Sequence, residues 1–249
     1  MIETLRHGPL VELRLERPPV NALDIEMLDD LLDALAGAVE SGARGIVLSG
    51  QPGMFSAGLD IVRAIELDAH GMRGLCSVFF GVLQQVASSP VPVAAALTGY
   101  TAAGGAVIAN FADYRVLAAG EGRIGFNEME VGIFPGPMVH RSVVRQVGPR
   151  QAERLLTSGM LLPPDEALRI GLVDAVVPVE DVVPAALAWL DRLASLPREP
   201  LARTRTLARA DLVEIFEDLD QSAIEVLIRG WFAPETRAAL EAAVARLHG

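Results

Sequence analysis

Apolar residues alternate with polar ones between Leu10 and Leu15, the pattern of a strand with one buried face. Pro18-Pro19 stops that strand. From Asn21 to Val39, leucine, isoleucine and methionine recur at helical spacing, with Asp and Glu near the start, where the positive end of a helix favours them. That spacing predicts a helix over 21–39. Gly45 to Ser49 reads as a short buried strand and Gly50-Gln51-Pro52-Gly53 as a turn. A helix is predicted to begin within Leu59 to Leu67, and another spans Gly71 to Ser88, closed by Pro90. Val91 to Leu97 predicts a buried strand, Gly104 to Phe111 a short buried helix opening at a glycine pair, Tyr114 to Ala119 a strand, and Arg123 to Phe126 a brief one. Pro135-Gly136-Pro137 marks a break. Val139 to Val147, Arg150 to Ser158 and Pro164 to Ile170 read as helices, and Leu172 to Val177 as a last strand.

After Pro178 the pattern is helical throughout: Val182 to Leu196, Pro200 to Arg209, Leu212 to Arg229 and Pro234 to Leu247. Asp211 and Pro234 are suitable start signals for the last two. Strands alternating with helices, then helices alone, predict an α/β core over 1–178 and a helical C-terminal region over 179–249. No internal repeat interrupts this order.

The chain has 249 residues, 51% of them apolar, enough to bury a large core. Its formal net charge is −11, which argues against a nucleic-acid partner or an anionic membrane surface. The basic residues are all arginine, so Schiff-base chemistry on lysine is excluded, and any ligand phosphate must be met by arginine, backbone N–H groups or water. Cys76 is the single cysteine, which excludes an internal disulfide and a cysteine-based zinc site; no metal is expected. The N-terminus carries no signal or transit pattern and the apolar runs are shorter than a membrane span, so a cytoplasmic protein is expected.

Candidate chemistry gathers at two segments. Phe55-Ser56-Ala57-Gly58-Leu59-Asp60 and Gly99-Tyr100-Thr101-Ala102-Ala103-Gly104-Gly105 each close a strand-like run and open a helix-like one. Each is placed to aim bare backbone N–H groups at one point. With Asn127-Glu128 nearby, the chain holds the parts of an oxyanion hole and a base. Glycine pairs before helices also serve tight turns in any α/β protein, and glutamates usually sit on solvated faces; the residues alone leave both readings open.

These segments, with Phe134-Pro135-Gly136, are ordered and spaced as in the crotonase (enoyl-CoA hydratase/isomerase) superfamily. The resemblance runs from Pro19-Val20-Asn21-Ala22-Leu23 to the C-terminal helices. Within that superfamily the chain is most similar to the Δ3,Δ2-enoyl-CoA isomerases, through Ala103-Gly104-Gly105, Asp113-Tyr114-Arg115, Ile124-Gly125-Phe126-Asn127-Glu128, Val131-Gly132-Ile133, Leu162-Pro163-Pro164 and Gly171-Leu172-Val173-Asp174. The resemblance implies a spiral of ββα units, a homotrimer or a dimer of trimers, and an acyl-CoA thioester substrate, coenzyme A being part of the substrate and no separate cofactor being needed. It implies oxyanion donors at the Leu59 and Gly104 N–H groups and a base at Glu128. Hydratases of that superfamily use two glutamates; the second matches Glu128, and the first falls at Val107, which cannot ionise. One carboxylate suits the transfer of a proton from C2 to C4 of a 3-enoyl-CoA. Hydration, thioester hydrolysis and decarboxylation stay open on the same scaffold, as does acyl-CoA binding without catalysis.

Around these residues, Ser56, Ala57, Gly58, Asp60, Gly105, Val107 and Asn127 are expected to line the substrate site. Asp60 also suits a helix cap, and Asn127 a turn. Ser56 lacks the surroundings of a nucleophilic serine elbow. Asp113 and Arg115 are expected to support the fold as an ion pair or hydrogen-bond set. Phe79 and Phe80 are expected either in the acyl pocket or in the core. The C-terminal helices of 179–249 are expected to cover the pocket or to pack against another subunit; Trp231-Phe232 forms an apolar corner among them, read either as a packing anchor or as a contact to the adenine end of coenzyme A from a neighbouring protomer.

Overall fold

The computed structural model describes residues 1–217 and 221–248. The chain opens with a hairpin of β1 (Ile2–His7) and β2 (Leu10–Leu15), then α1 (Ile25–Glu40). There follow β3 (Gly45–Ser49), β4 (Gly53–Ser56), α2 (Ile61–Ala64), α3 (Ala69–Ser88), β5 (Val93–Leu97), β6 (Gly99–Ala102) and α4 (Gly104–Asn110). Next come β7 (Tyr114–Ala118), β8 (Arg123–Gly125), a 3-10 turn at Glu128–Val131, α5 (Gly136–Val147), α6 (Pro149–Ser158), β9 (Leu161–Leu162), α7 (Pro164–Arg169) and β10 (Ala175–Val177). The remainder is helical: α8 (Val182–Ala194), α9 (Arg198–Ala208), α10 (Ala210–Glu214), α11 (Gln221–Trp231) and α12 (Pro234–His248).

The strands divide between two sheets, ordered β1-β2-β3-β5-β7-β10 and β4-β6-β8-β9. All neighbours are parallel except β1 with β2 and β8 with β9. Strands β3, β5 and β7 each hand the chain to the other sheet through β4, β6 and β8, and a helical segment then returns it. The result is a spiral of ββα turns, the expected α/β class with a helical C-terminal region. Strand β5, Val-Ala-Ala-Ala-Leu, shows why the large sheet is buried on both faces. Ala94 and Ala96 meet Val182, Ala186 and Leu190 of α8, while Val93, Ala95 and Leu97 face the main core with Leu48, Phe111 and Leu117. Leu212, Ile215, Ile228, Trp231 and Leu240 from the C-terminal helices join that same core.

Several boundaries differ from the sequence expectations for local reasons. Helix α1 begins at Ile25, not Asn21: Asp24 is the cap, accepting from the Met27 N–H at 2.9 Å, and Asn21 is left-handed at φ 49°. The proline-glycine-proline break is itself the start of α5, with Pro137 in the first turn, where its missing N–H costs nothing. The last strand is only Ala175–Val177, because the Leu172 and Val173 N–H groups both turn back to the Ala167 carbonyl in the last turn of α7. The single helix expected over Leu212 to Arg229 ends as α10 at Glu214 and resumes in α11; residues 218–220 lie outside the described residues. Asp113 and Arg115 do not pair with each other. Arg115 pairs with Asp174 at 2.8 Å, and Asp113 receives Arg205 at 2.7 Å and Arg209 at 3.1 Å. Arg205 also donates to the Ser89 carbonyl and Arg209 to those of Ala87 and Phe111, so the two arginines pin the C-terminal helices to the core.

Candidate active site

The site is built where two loops touch. Segment 20–23 lies beside 57–60: the Ala57 N–H donates to Val20 at 3.0 Å, Leu23 to Gly58 at 2.8 Å and Asp60 to Leu23 at 2.9 Å. Because the Gly58 carbonyl and the Asp60 N–H both turn to Leu23, the N–H of Leu59 between them points the other way. Asn21 fixes this arrangement. Its side chain donates to the Phe55 carbonyl at 2.9 Å and accepts from the Arg17 N–H at 2.8 Å, while its carbonyl accepts from the Ser56 hydroxyl at 2.7 Å. This brace was not anticipated as such; the signal was the Asn21 side chain itself, whose residue type tolerates left-handed backbone and hydrogen-bonds locally.

The second loop enters α4 through Ala103, which sits at φ 45°, ψ −125° without a side-chain cap. That region is costly for any residue with a Cβ, on the order of 1–3 kcal/mol. It is held from both sides: the Ala103 N–H donates to Gly125 at 3.0 Å, and the Ala103 carbonyl accepts from Val107 at 2.9 Å. Gly104 is then the first residue of the helix, where an N–H has no partner one turn back. Neither the Leu59 nor the Gly104 N–H meets an acceptor among the described residues. A Cβ on Gly104 would lie 3.5 Å from the Leu59 nitrogen, so the two donors are neighbours. Two unpaired main-chain donors this close, with a helix start behind one of them, are of the kind that a developing oxyanion needs.

Glu128 opens the 3-10 turn after β8 and is 8% exposed. Burial pushes its carboxyl up from the ordinary 4.5 to about 7, the range of a proton-transfer group at neutral pH. Its Oε2 has no hydrogen-bond partner among the described residues, and neither has the buried Oδ1 of Asn127. Glu130, two residues on, is exposed. Leu59, Gly104, Asn127 and Glu128 line one cavity of about 600 Å3, together with Ala57, Asp60 and Val107. Val107 follows Gly104 by one helical turn and is 1% exposed. Met72, Cys76, Phe79 and Phe80 of α3 supply an apolar wall; burial pushes the Cys76 thiol up to about 11.

Three expected lining residues stand behind the wall instead of on it. Ser56 is fully buried, and its hydroxyl is occupied by the Asn21 carbonyl and the Gly58 N–H. Gly58, at φ +91°, and Gly105 are contact points between the loops: a Cβ on Gly105 would lie 2.8 Å from the Ser56 Cβ. None of the three lines the cavity. Asp60 is both cap and wall, accepting from the Arg63 N–H at 3.1 Å and from Arg17 at 2.7 Å.

The far wall comes from the C-terminal helical region, which the sequence marks as a pocket cover without singling out the residues that do the covering. Leu227 and Trp231 of α11 and Ala243, Arg246 and Leu247 of α12 close the cavity from the same chain. Trp231 is buried, with Phe232 beside it under the Arg237 guanidinium, 5.9 Å above the ring. Helix α12 has only a weak apolar stripe, so no periodicity announced its buried side.

The chain is similar to known proteins in both sequence and fold. Among curated proteins, the human enoyl-CoA delta isomerase 1, mitochondrial, is 33% identical over 200 residues, which is 79% of this chain and 66% of that protein's own length. A probable enoyl-CoA hydratase of Mycobacterium avium is 32% identical over 216 residues, 85% of this chain and 81% of its own. Among solved structures, human mitochondrial delta3-delta2-enoyl-CoA isomerase superposes with a TM-score of 0.94 at 27% identity, covering 99% of this chain and 98% of that one. The enoyl-CoA hydratase of Bacillus halodurans shares the fold, with a TM-score of 0.88 at 22% identity over 97% and 99% of the two chains. No helix among the described residues is long and apolar enough to cross a membrane. The profile of the enoyl-CoA hydratase/isomerase family matches residues 6–225. By that match, and by a spiral fold that joins two glycine loops to one buried glutamate, the chain belongs to the enoyl-CoA hydratase/isomerase family, within the crotonase superfamily.

Proposed function

We propose that the protein is a Δ3,Δ2-enoyl-CoA isomerase. The observation that carries this reading is a single carboxylate left without an ion-pair partner in the cavity: of the two acids that line it, Asp60 is held by Arg17 at 2.7 Å, Glu128 has none, and α4 offers Val107 and no second acid there. In this reaction a base takes a proton from C2 of a 3-enoyl thioester, the negative charge spreads onto the thioester oxygen, and the same acid returns the proton at C4. The Leu59 and Gly104 N–H groups hold the oxygen of the dienolate. Loss of one such donor typically costs roughly 3–4 kcal/mol of barrier. Glu128 serves both proton steps, being close to half ionised near neutrality. Val107 keeps water from the reacting carbons. Coenzyme A arrives as part of the substrate, and the C-terminal helices cover the acyl group. A homotrimer or a dimer of trimers is proposed from the family resemblance alone.

Hydration is the second reading, supported by the likeness to the Mycobacterium avium protein, which is described as a probable hydratase. Product mass separates the two: isomerisation of a 3-enoyl-CoA leaves the mass unchanged and hydration adds one water. The deciding variant is Glu128→Gln, for which isomerase turnover is expected to fall at least 1,000-fold (on the order of a removed catalytic acid–base group) while acyl-CoA binding survives. Unchanged turnover would refute the assignment.

A further inference from the structure

The turn that carries Glu128 is gripped from outside the site. Its peptide groups form a short relay: the Glu128 carbonyl accepts from the Ile133 N–H at 2.9 Å and also from the Gly132 N–H, and the Gly132 carbonyl accepts from the Thr236 hydroxyl at 2.9 Å. Thr236 belongs to the first turn of α12 and is 8% exposed. The approach is close. Gly132 is left-handed at φ +71°, and a Cβ there would stand 3.2 Å from the Ala239 Cβ and 3.3 Å from the Thr236 Cα. On the opposite side, a Cβ on Gly159, which ends α6, would stand 3.3 Å from the Glu130 Cγ. Helix α12 is itself anchored, because Arg237 donates to the Ile65 carbonyl at 2.9 Å.

We propose that Thr236 is a positioning residue for Glu128, so that α12 sets the proton shuttle in place as well as walling the cavity. The proposal deepens the isomerase reading and rests on it. Glu128 must reach two carbons of one substrate in turn, and such transfer is sensitive to displacements of an ångström or less. The Glu128 side chain has no hydrogen bond of its own on Oε2 to fix it, so its backbone turn must do so. Among the described residues, the Gly132 carbonyl is the one that joins this turn to α12 by a hydrogen bond, and the Thr236 hydroxyl is its partner.

The test is Thr236→Val, which keeps the shape and removes the hydroxyl, with Thr236→Ser as rescue. Turnover of a 3-enoyl-CoA by T236V is expected to fall about 10- to 100-fold with KM within about twofold, since the binding wall is untouched. The pH midpoint of kcat is expected to move, and T236S is expected to recover most of the rate. In the Glu128→Gln background, T236V is expected to cost nothing further. Assays well below the unfolding midpoint of each variant separate this loss from instability, and T236A takes the place of T236V if that variant does not fold. A T236V rate within about twofold of the parent, or T236S as impaired as T236V, overturns the proposal while the isomerase reading stands. Full turnover by E128Q overturns that reading, and the proposal with it.

Discussion

A Cβ placed on Gly58 would lie 2.9 Å from the backbone nitrogen of Gly104. The loops bearing the two N–H donors are therefore in main-chain contact, and their separation is fixed by an absent side chain. Gly58→Ala is expected to force them apart, in addition to straining a left-handed position at φ +91°. Turnover should fall about 100- to 1,000-fold, the effect of losing one oxyanion donor, with a drop in stability of about 1–3 kcal/mol. Steady-state kinetics and thermal unfolding of the same preparation check both.

The raised pKa of Glu128 has two consequences of opposite sense. The base must be ionised, so kcat/KM on a 3-enoyl-CoA should rise with pH through a midpoint of about 7. For stability, the folded chain holds a proton that the unfolded chain has already released between about 4.5 and 7. Bound protons then favour the folded state, and stability falls as pH rises across that window, by on the order of 3 kcal/mol. Glu128→Gln should remove this slope and be the more stable protein above pH ~7. Unfolding midpoints for both proteins at a series of pH values provide the measurement.

Of the two arginines lining the cavity, Arg17 is engaged by Asp60 at 2.7 Å and by Asp24 at 3.0 Å. Arg246 has no ion-pair partner among the described residues. Arg246→Gln is expected to raise KM for a coenzyme A thioester about 5- to 10-fold with kcat unchanged, a loss of uniform binding. A truncated thioester without phosphates should not distinguish the variant from the parent.

The spiral core was readable because its strands announce themselves. Gly45–Ser49 and Val93–Leu97 are short apolar runs bounded by breakers, as strands buried on two faces must be. Glu128 was readable through the family spacing; Phe126, Val131 and Ile133 around it allow a dry setting but do not select it over the exposed Glu130. What escaped was long-range. Nothing local tells that Ser56 spends its hydroxyl on Asn21, 35 residues earlier, or that Asp113 waits for Arg205, 92 residues later. Gly58 and Gly105 were seen as important, but what they do in the structure is let the loops touch, and neither lines the cavity. Backbone proximity of two distant segments leaves only glycine as its trace, and glycine serves many ends.

Ala103 rests at φ 45°, ψ −125°, between the Gly125 carbonyl and the amide of Val107. Torsional tension is thus built into the joint immediately ahead of the Gly104 amide, and on the proposed reading the clasp is cocked before any guest arrives. A softer joint at this point would make a sturdier resting molecule, but one whose amide must be turned into line anew on each visit.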